Sequence, residues 1–396
     1  MLLNIHHISF KPSLLLAASL CIAQAMPAED WMADIADGAY ITQLSIPGSH
    51  DSCTGNGWSS GLGALFGPGM GTTQDLTLEE QWEAGIRAFD LRPCMLDGAL
   101  EIYHGILQTN TSFASALETL CRLLDEHPTE FAIVTMRHES DADKNDASWA
   151  GLMKDATQAP DVASHLVALT KDLTLGEARG KILMMTRDSF GNRNVSAISG
   201  WSHSAEFADQ IMARISCTRG NLPLYCQDIF ECTGEIDADR KLQAVLTMLD
   251  ASSELHLDGD SRTLTIVINH TSGYTKSASS DGNRELAAKT NTGLYDALTA
   301  DDFVAGPTGI VLMDFCGCDE SNGYAVNSRK LTDALIANNS KYTPKGETDA
   351  LTAVEADSEP LSDGRIYDLS GRRISGTIST LRPGVYIINH KKVLIR

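Results

Sequence analysis

The stretch "LSIPGSHDSCTGNG", residues 44–57, decides how this chain is read. A short apolar run stops at Pro47-Gly48, and His50, Asp51 and Ser52 then follow together. Taken alone, a histidine beside a carboxylate is more often a polar turn than a site. Its meaning depends on whether other strands close in the same way.

They do. Apolar or β-rich runs recur at 40–46, 86–92, 131–137, 181–187, 224–228, 264–270 and 310–315, with helical stretches between them. This is the pattern of a parallel α/β fold. Thr77 and Glu80 form a capping box that opens one helix, with Gly85 as its stop. Ser112 caps another, closed by Pro128. The runs end on His50-Asp51, Asp90 and Arg92, Arg137 and Glu139, Arg187, Asp228, Asn269-His270, and Asp314. Loops are wet, so some polar residues are expected there, but not ionisable groups at nearly every strand end. Alternation puts Asp90 with Arg92, and Arg137 with Glu139, on one face. In a barrel they converge on the C-terminal mouth.

The expected architecture is therefore a TIM-type (β/α)8 barrel, incomplete in this reading because no eighth strand can be placed. The run "ALEIYHG", residues 99–105, follows the second strand too closely for a parallel crossover and is expected to fold back as a hairpin arm.

With 396 residues there is room for one large α/β domain and an appendage. Lys11, the apolar "SLLLAASLCIA" and Ala23-Gln24-Ala25 read as an export signal over residues 1–25. The barrel takes 26–340, a polar, acidic linker 341–360, and a β-rich C-terminal segment 361–396. Removal of the signal leaves eight of the nine cysteines, an even number that permits disulfides of unknown pairing in an exported protein. No paired C-x-x-C spacing suggests a zinc site.

The formal charge is −21, and the signal contributes only Lys11. The last 36 residues carry seven basic and two acidic side chains, which leaves −27 on 26–360. So acidic a body excludes nucleic acid as a main partner, and it also argues against diffuse attraction to anionic lipid.

The set "IPGSHDS", "GIRAFDLRP", "IYHG" and "MRHE" resembles the catalytic X region of bacterial, metal-independent phosphatidylinositol-specific phospholipase C. "KILMMTRDSF", "YCQDIF", "INHTSG" and "GIVLMDF" continue the likeness in order, over roughly residues 28–339. The tail, with "YDLSGRR" and "PGVYIIN", resembles the C-terminal sorting domain of type IX secretion.

The resemblance implies a lyase that cleaves phosphatidylinositol, or a glycosyl-phosphatidylinositol anchor, to diacylglycerol and inositol 1,2-cyclic phosphate. His50 matches its general base and His104 its general acid. Asp314 matches the partner of the base, and Asp51 the link between arginine and acid, with Asp90 as a second partner. Arg92 matches the phosphate clamp that stands where metal-dependent relatives bind calcium, so neither metal nor cofactor is expected. Arg137, Glu139, Arg187 and Asp228 match headgroup contacts. Arg137 stands where the family usually has lysine, and Phe230 where it has a tyrosine against the inositol ring. Trp201 is an aromatic candidate for the rim, at a longer spacing from Asp228 than the family leads one to expect. His270 is read as structural, and His6, His7, His127 and His390 are left unassigned.

The glycine-rich segment 55–71 follows the first motif and carries Trp58, Leu62, Leu65 and Phe66. The family places a membrane-touching element there, so these four are expected to meet lipid. The protein is expected to be secreted or held at the cell surface, as a monomer with peripheral membrane contact. Two other readings remain at this stage. One is a glycerophosphodiester-type barrel phosphodiesterase, whose early His-Arg pair is missing. The other is a silent inositol-phosphate or glycan-binding surface protein, against which both histidines count.

Overall fold

The apolar run at 40–46 divides in two. In the computed structural model its first part is a 3-10 turn, Ile41–Gln43, and strand β1 is Ser45–Ser49. The strand therefore passes through Pro47 and Gly48 instead of stopping there. Gly48 lies between Leu312 and Ala88 of the two flanking strands. A Cβ on it would sit 2.7 Å from Leu312 Cδ2 and 2.8 Å from Ala88 Cβ, so glycine is what allows this close approach. The structure describes residues 28–343, apart from Ser60 and the segments 202–210, 258–264 and 277–280, together with short strands between 352 and 395. The expected export signal, most of the linker and parts of the tail lie outside the described residues.

After β1 come a short helix α1 (Leu62–Phe66), the capped helix α2 (Leu78–Glu83) and strand β2 (Ala88–Leu91). A three-stranded antiparallel arm follows: β3 (Pro93–Leu96), β4 (Ala99–His104) and β5 (Leu107–Ser112). The run at 99–105 is thus a hairpin strand, and His104 is its last residue. Helix α3 (Phe113–Glu126), capped by Ser112, leads to β6 (Ala132–Met136). Helices α4 (Trp149–Gln158) and α5 (Pro160–His165), the two-residue β7 (Leu166–Val167) and α6 (Leu175–Ala178) precede β8 (Ile182–Thr186). Then come β9 (Ser196–Ser199), β10 (Ile211–Cys217), β11 (Gly220–Gln227) and β12 (Glu231–Cys232). Helix α7 (Gly234–Leu257), β13 (Ile266–His270), β14 (Tyr274–Thr275), α8 (Gly282–Thr299), β15 (Gly309–Met313) and α9 (Ser328–Tyr342) complete the body.

The sheet runs β6-β2-β1-β15-β13-β11-β10-β9-β8, and β8 pairs back to β6 to close a barrel. All of these pairings are parallel except those of β10, which is antiparallel to both β9 and β11. The missing eighth strand is accordingly two strands. Between β8 and β11 the chain adds β9 and then doubles back through β10, giving a mixed barrel in place of the expected all-parallel (β/α)8 ring.

Two apolar cores follow from strand alternation. Ile46, Ala88, Ile133, Leu183, Leu224, Ile268 and Leu312 fill the barrel interior. Phe89, Leu91, Val134, Met184, Val311 and Met313 pack outward against α2, α3 and their neighbours. The inner face keeps its parity up to and one residue past the strand ends, where it reaches His50, Asp90, Arg137, Asp228, His270 and Asp314. That is why one end of an oily barrel becomes a charged mouth.

The eight cysteines among the described residues are all free thiols. The disulfides that their even number permitted are not formed. Beyond the barrel, Ile366, Ile388 and Ile395 form a small core in a five-stranded sheet between 352 and 395. Among the described residues no helix is long and apolar enough to cross a membrane.

Candidate active site

The mouth opens on a cavity of about 730 Å³ lined by His50, Arg92, His104, Arg137, Arg187 and Asp228, among others. His50 leaves the end of β1 with Nδ1 2.8 Å from Asp314 Oδ1 and Nε2 3.2 Å from Asp51 Oδ2. Asp314 is steadied in turn by the Gly273 N–H, which donates to its Oδ2 at 3.1 Å. Burial pulls the His50 pKa down, but the Asp51 and Asp314 carboxylates outweigh it and raise it above the ordinary value.

Asp51 is the hub. Its backbone is left-handed (φ 45°), an arrangement aspartate tolerates better than most residues, and this turns the carboxylate back into the mouth. Asp51 Oδ1 meets Arg92 Nε at 3.0 Å, while Oδ2 faces His50 and also His104 Nε2 at 3.4 Å. Arg92 reaches Asp90 Oδ2 through Nη2 at 2.8 Å and Glu139 Oε1 through Nη1 at 3.4 Å. Three carboxylates around one buried guanidinium hold its pKa well above normal despite desolvation, so its charge is permanent. Asp90 is buried as well, yet the Arg92 charge holds it well below the usual carboxylate range. His50, Asp51 and Asp90 offer donor atoms within 4.8 Å of one another, a grouping in which a cation could bind. The guanidinium of Arg92 already engages both of those carboxylates.

The opposite wall comes from β6, β8 and β11. Arg137 Nη2 donates to Glu139 Oε2 at 3.0 Å, and Arg187 Nη2 to Asp228 Oδ2 at 3.3 Å. Trp201 Nε1 also donates to Asp228 Oδ2, at 3.1 Å, and the Arg187 guanidinium lies 3.9 Å over the Trp201 ring. The long sequence spacing between Trp201 and Asp228 holds the antiparallel β10–β11 hairpin, whose two strands are part of the barrel ring. Phe230 lines the cavity as well.

The structure brings twelve predicted residues into this one mouth: His50, Asp51, Asp90, Arg92, His104, Arg137, Glu139, Arg187, Trp201, Asp228, Phe230 and Asp314. It does not treat the membrane set alike. Leu62, Leu65 and Phe66 are exposed, and Met70 beside them is exposed too. Trp58 is turned inward: its Nε1 donates to Thr72 Oγ1 at 3.3 Å, and its ring lies beneath Gly67 and Gly71. Trp58 is therefore a packing residue, and the expectation that it faces lipid is corrected.

Sequence reasoning missed Gln74, whose Nε2 donates to the carbonyls of His50 and Met313 at 2.7 and 2.8 Å and so ties the ends of β1 and β15. It also missed Lys241. This buried lysine caps the Gln227 side-chain oxygen and the Ile229 carbonyl at 2.7 and 2.5 Å, and burial pushes its pKa down to about 8. Neither lies in a motif, and a lone glutamine or a helical lysine carries no spacing signal. Tyr274, Lys276 and Asn283 add an outer wall to the cavity.

Fold and site together define a closed α/β barrel whose mouth joins two histidines and a buried arginine through one shared aspartate. By sequence and fold the chain is similar to bacterial phosphatidylinositol-specific phospholipases C. It is 30% identical over 177 residues to a 1-phosphatidylinositol phosphodiesterase of Listeria monocytogenes. That match covers 42% of this chain and only about half, 51%, of the relative. A 1-phosphatidylinositol phosphodiesterase of Staphylococcus aureus is 23% identical over 296 residues, covering 73% of this chain and 88% of the relative. A solved variant of the phosphatidylinositol-specific phospholipase C from Staphylococcus aureus superposes with a TM-score of 0.63 at 22% identity, over 78% of this chain and 96% of the other. The Listeria monocytogenes enzyme gives 0.59 at 21%, over 79% and 99%. No family model matches the chain.

Proposed function

We propose that this protein is a phosphodiester lyase that cleaves phosphatidylinositol or its glycosylated form to diacylglycerol and inositol 1,2-cyclic phosphate. The observation that carries the reading is the single carboxylate of Asp51 held against His50, Arg92 and His104 at once. The two imidazoles stand with ring centroids 6.4 Å apart, one on a barrel strand and one on the hairpin arm. A phosphodiester seated between them has a proton acceptor on one side and a proton donor on the other.

His50, oriented through Nδ1 by Asp314, takes the proton of the inositol 2-hydroxyl at Nε2. The 2-oxygen forms its bond to phosphorus as the bond from phosphorus to the glycerol oxygen breaks. His104 gives a proton from Nε2 to that departing oxygen, so charge and protons balance. Each such proton transfer contributes about 10²–10⁴-fold. Arg92 neutralises the phosphoryl oxygens through its planar fork, with Asp51 and Asp90 fixing its plane. Arg137, Glu139, Arg187 and Asp228 are the hydrogen-bonding set for the inositol hydroxyls, and Phe230 and Trp201 are its apolar faces. The composition of residues 1–25 supports export, and the basic β-rich tail supports a sorting or anchoring segment.

Phosphorus NMR of the purified protein with phosphatidylinositol vesicles tests this directly. The expected result is a cyclic phosphodiester signal that grows at the same rate with and without excess EDTA. A strict calcium requirement would instead give the His50, Asp51 and Asp90 grouping to a metal.

A further inference from the structure

The segment that carries the exposed apolar side chains also touches the acid histidine. His104 Nδ1 lies 2.7 Å from the carbonyl oxygen of Gly71, the last residue of the helical turn Gly67–Gly71. A carbonyl only accepts, so Nδ1 carries the hydrogen. Nε2 is then the nitrogen left to face Asp51 and the cavity.

That carbonyl is itself held. A Cβ on Gly71 would fall 2.6 Å from Trp58 Cη2 and 2.9 Å from Leu107 Cδ1, and one on Gly67 would overlap the same indole. Glycine at both positions lets the turn lie flat on the Trp58 ring. The indole N–H donates to Thr72 Oγ1, and that hydroxyl donates to the Gly67 carbonyl at 3.1 Å. From across the cavity, Asn283 Nδ2 donates to the Thr72 carbonyl at 3.2 Å. Trp58 also makes a β-bridge to Thr109 on β5, the strand hairpinned to the one that ends in His104. One tryptophan thus grips both the turn that supplies the carbonyl and the arm that supplies the imidazole.

We propose that Trp58 and the Gly71 carbonyl form the positioning device for His104, fixing its tautomer and ring orientation for proton donation. The inference rests on the reading of His104 as the acid, and the test separates the two. Soluble inositol phosphodiesters with an alkyl and with a p-nitrophenyl leaving group are compared, because a phenolate departs without needing a proton. Trp58→Leu is expected to lower turnover of the alkyl ester by about ten- to a hundredfold, part of the 10²–10⁴ that a placed acid contributes. The p-nitrophenyl ester should change by no more than about threefold. Trp58→Phe, which keeps a flat apolar ring but loses the N–H donor and part of the indole's area, should fall between Trp58→Leu and wild type.

His104→Ala is the reference, and its loss must be far larger on the alkyl ester. If it is not, His104 is not the acid and the proposed function falls with it. If His104→Ala shows that split while both Trp58 variants lose the two esters equally, or neither, the positioning role is overturned and the function stands. A measurement on the unaltered protein guards against a variant that fails to fold. Nitrogen-15 NMR of neutral His104 should find the hydrogen on Nδ1, and a hydrogen on Nε2 overturns the assignment.

Discussion

Three histidines meet at the barrel mouth, and their surroundings give them different fates. His50 and His270 stand at inward-facing positions on either side of β15, with ring centroids 6.0 Å apart. His270 is fully buried; desolvation dominates over Asp228 and pushes its pKa down to about 3, so it stays neutral and contacts Ser272 Oγ at 3.2 Å. His50 is also desolvated, but it sits between two carboxylates and its pKa is raised. A base works deprotonated, so the rising limb of kcat/KM with pH should lie above the ordinary histidine value. Asp314→Asn removes one of the charges that raise His50. The limb should therefore move to lower pH while the plateau falls by about 10²-fold. A limb that stays in place would show that another group titrates. Arg92→Lys should be comparably damaging, because a point charge cannot hold Asp51, Asp90 and a phosphate at once; measuring kcat/KM on soluble cyclic phosphate checks this.

Among the elements, β1 is the one the site can least spare, because it delivers His50 and Asp51 from its end. Gly48→Ala forces a methyl group against Leu312 and Ala88. Overpacking of this kind costs about 1–3 kcal/mol. Thermal unfolding should shift down by a few degrees, and activity should fall more than stability does because the strand end moves; an unchanged midpoint would mean that the sheet opens freely here. The elements also explain what the sequence made legible. Seven barrel strands announced themselves as apolar runs because both of their faces are covered. β9, with only Ser-Ala-Ile-Ser, and β10, whose side chains alternate between buried and exposed over 213–216, lack such a run. Their place was left open for that reason. The charged strand ends are legible because alternation carries through the last residues of a strand and the one after it. Trp58 was misread because composition reports that an aromatic is present, not which way it points. The glycines at 67 and 71, one helical turn apart on its ring, become meaningful only once the turn is seen.

For the molecule as a whole, the proposed function raises the question of how a body carrying −27 over residues 26–360 would reach an anionic lipid. The barrel here has a means that does not depend on charge. Beside the cavity, α1 and the turn after it expose Leu62 (51%), Leu65 (71%), Phe66 (44%) and Met70 (68%), and Met70 also lines the cavity itself. Exposed apolar side chains that cluster at the edge of a site mark an interaction surface. Moving one such side chain fully into an acyl layer is worth about 1.5–3 kcal/mol. The opposing repulsion is diffuse and is screened beyond about 10 Å at ordinary salt. Two or three inserted side chains therefore outweigh it. Leu65→Ser with Phe66→Ser should weaken binding to phosphatidylinositol vesicles by about tenfold or more, since 1.4 kcal/mol already gives a factor of ten. Hydrolysis of soluble inositol cyclic phosphate should stay within about twofold, because neither side chain belongs to the Trp58–Gly71–His104 chain of contacts. Vesicle sedimentation and soluble-substrate kinetics on the same preparation decide the matter. Equal losses in both would mean that the exposed rim shapes the cavity, and unchanged sedimentation would move the lipid contact elsewhere on the barrel.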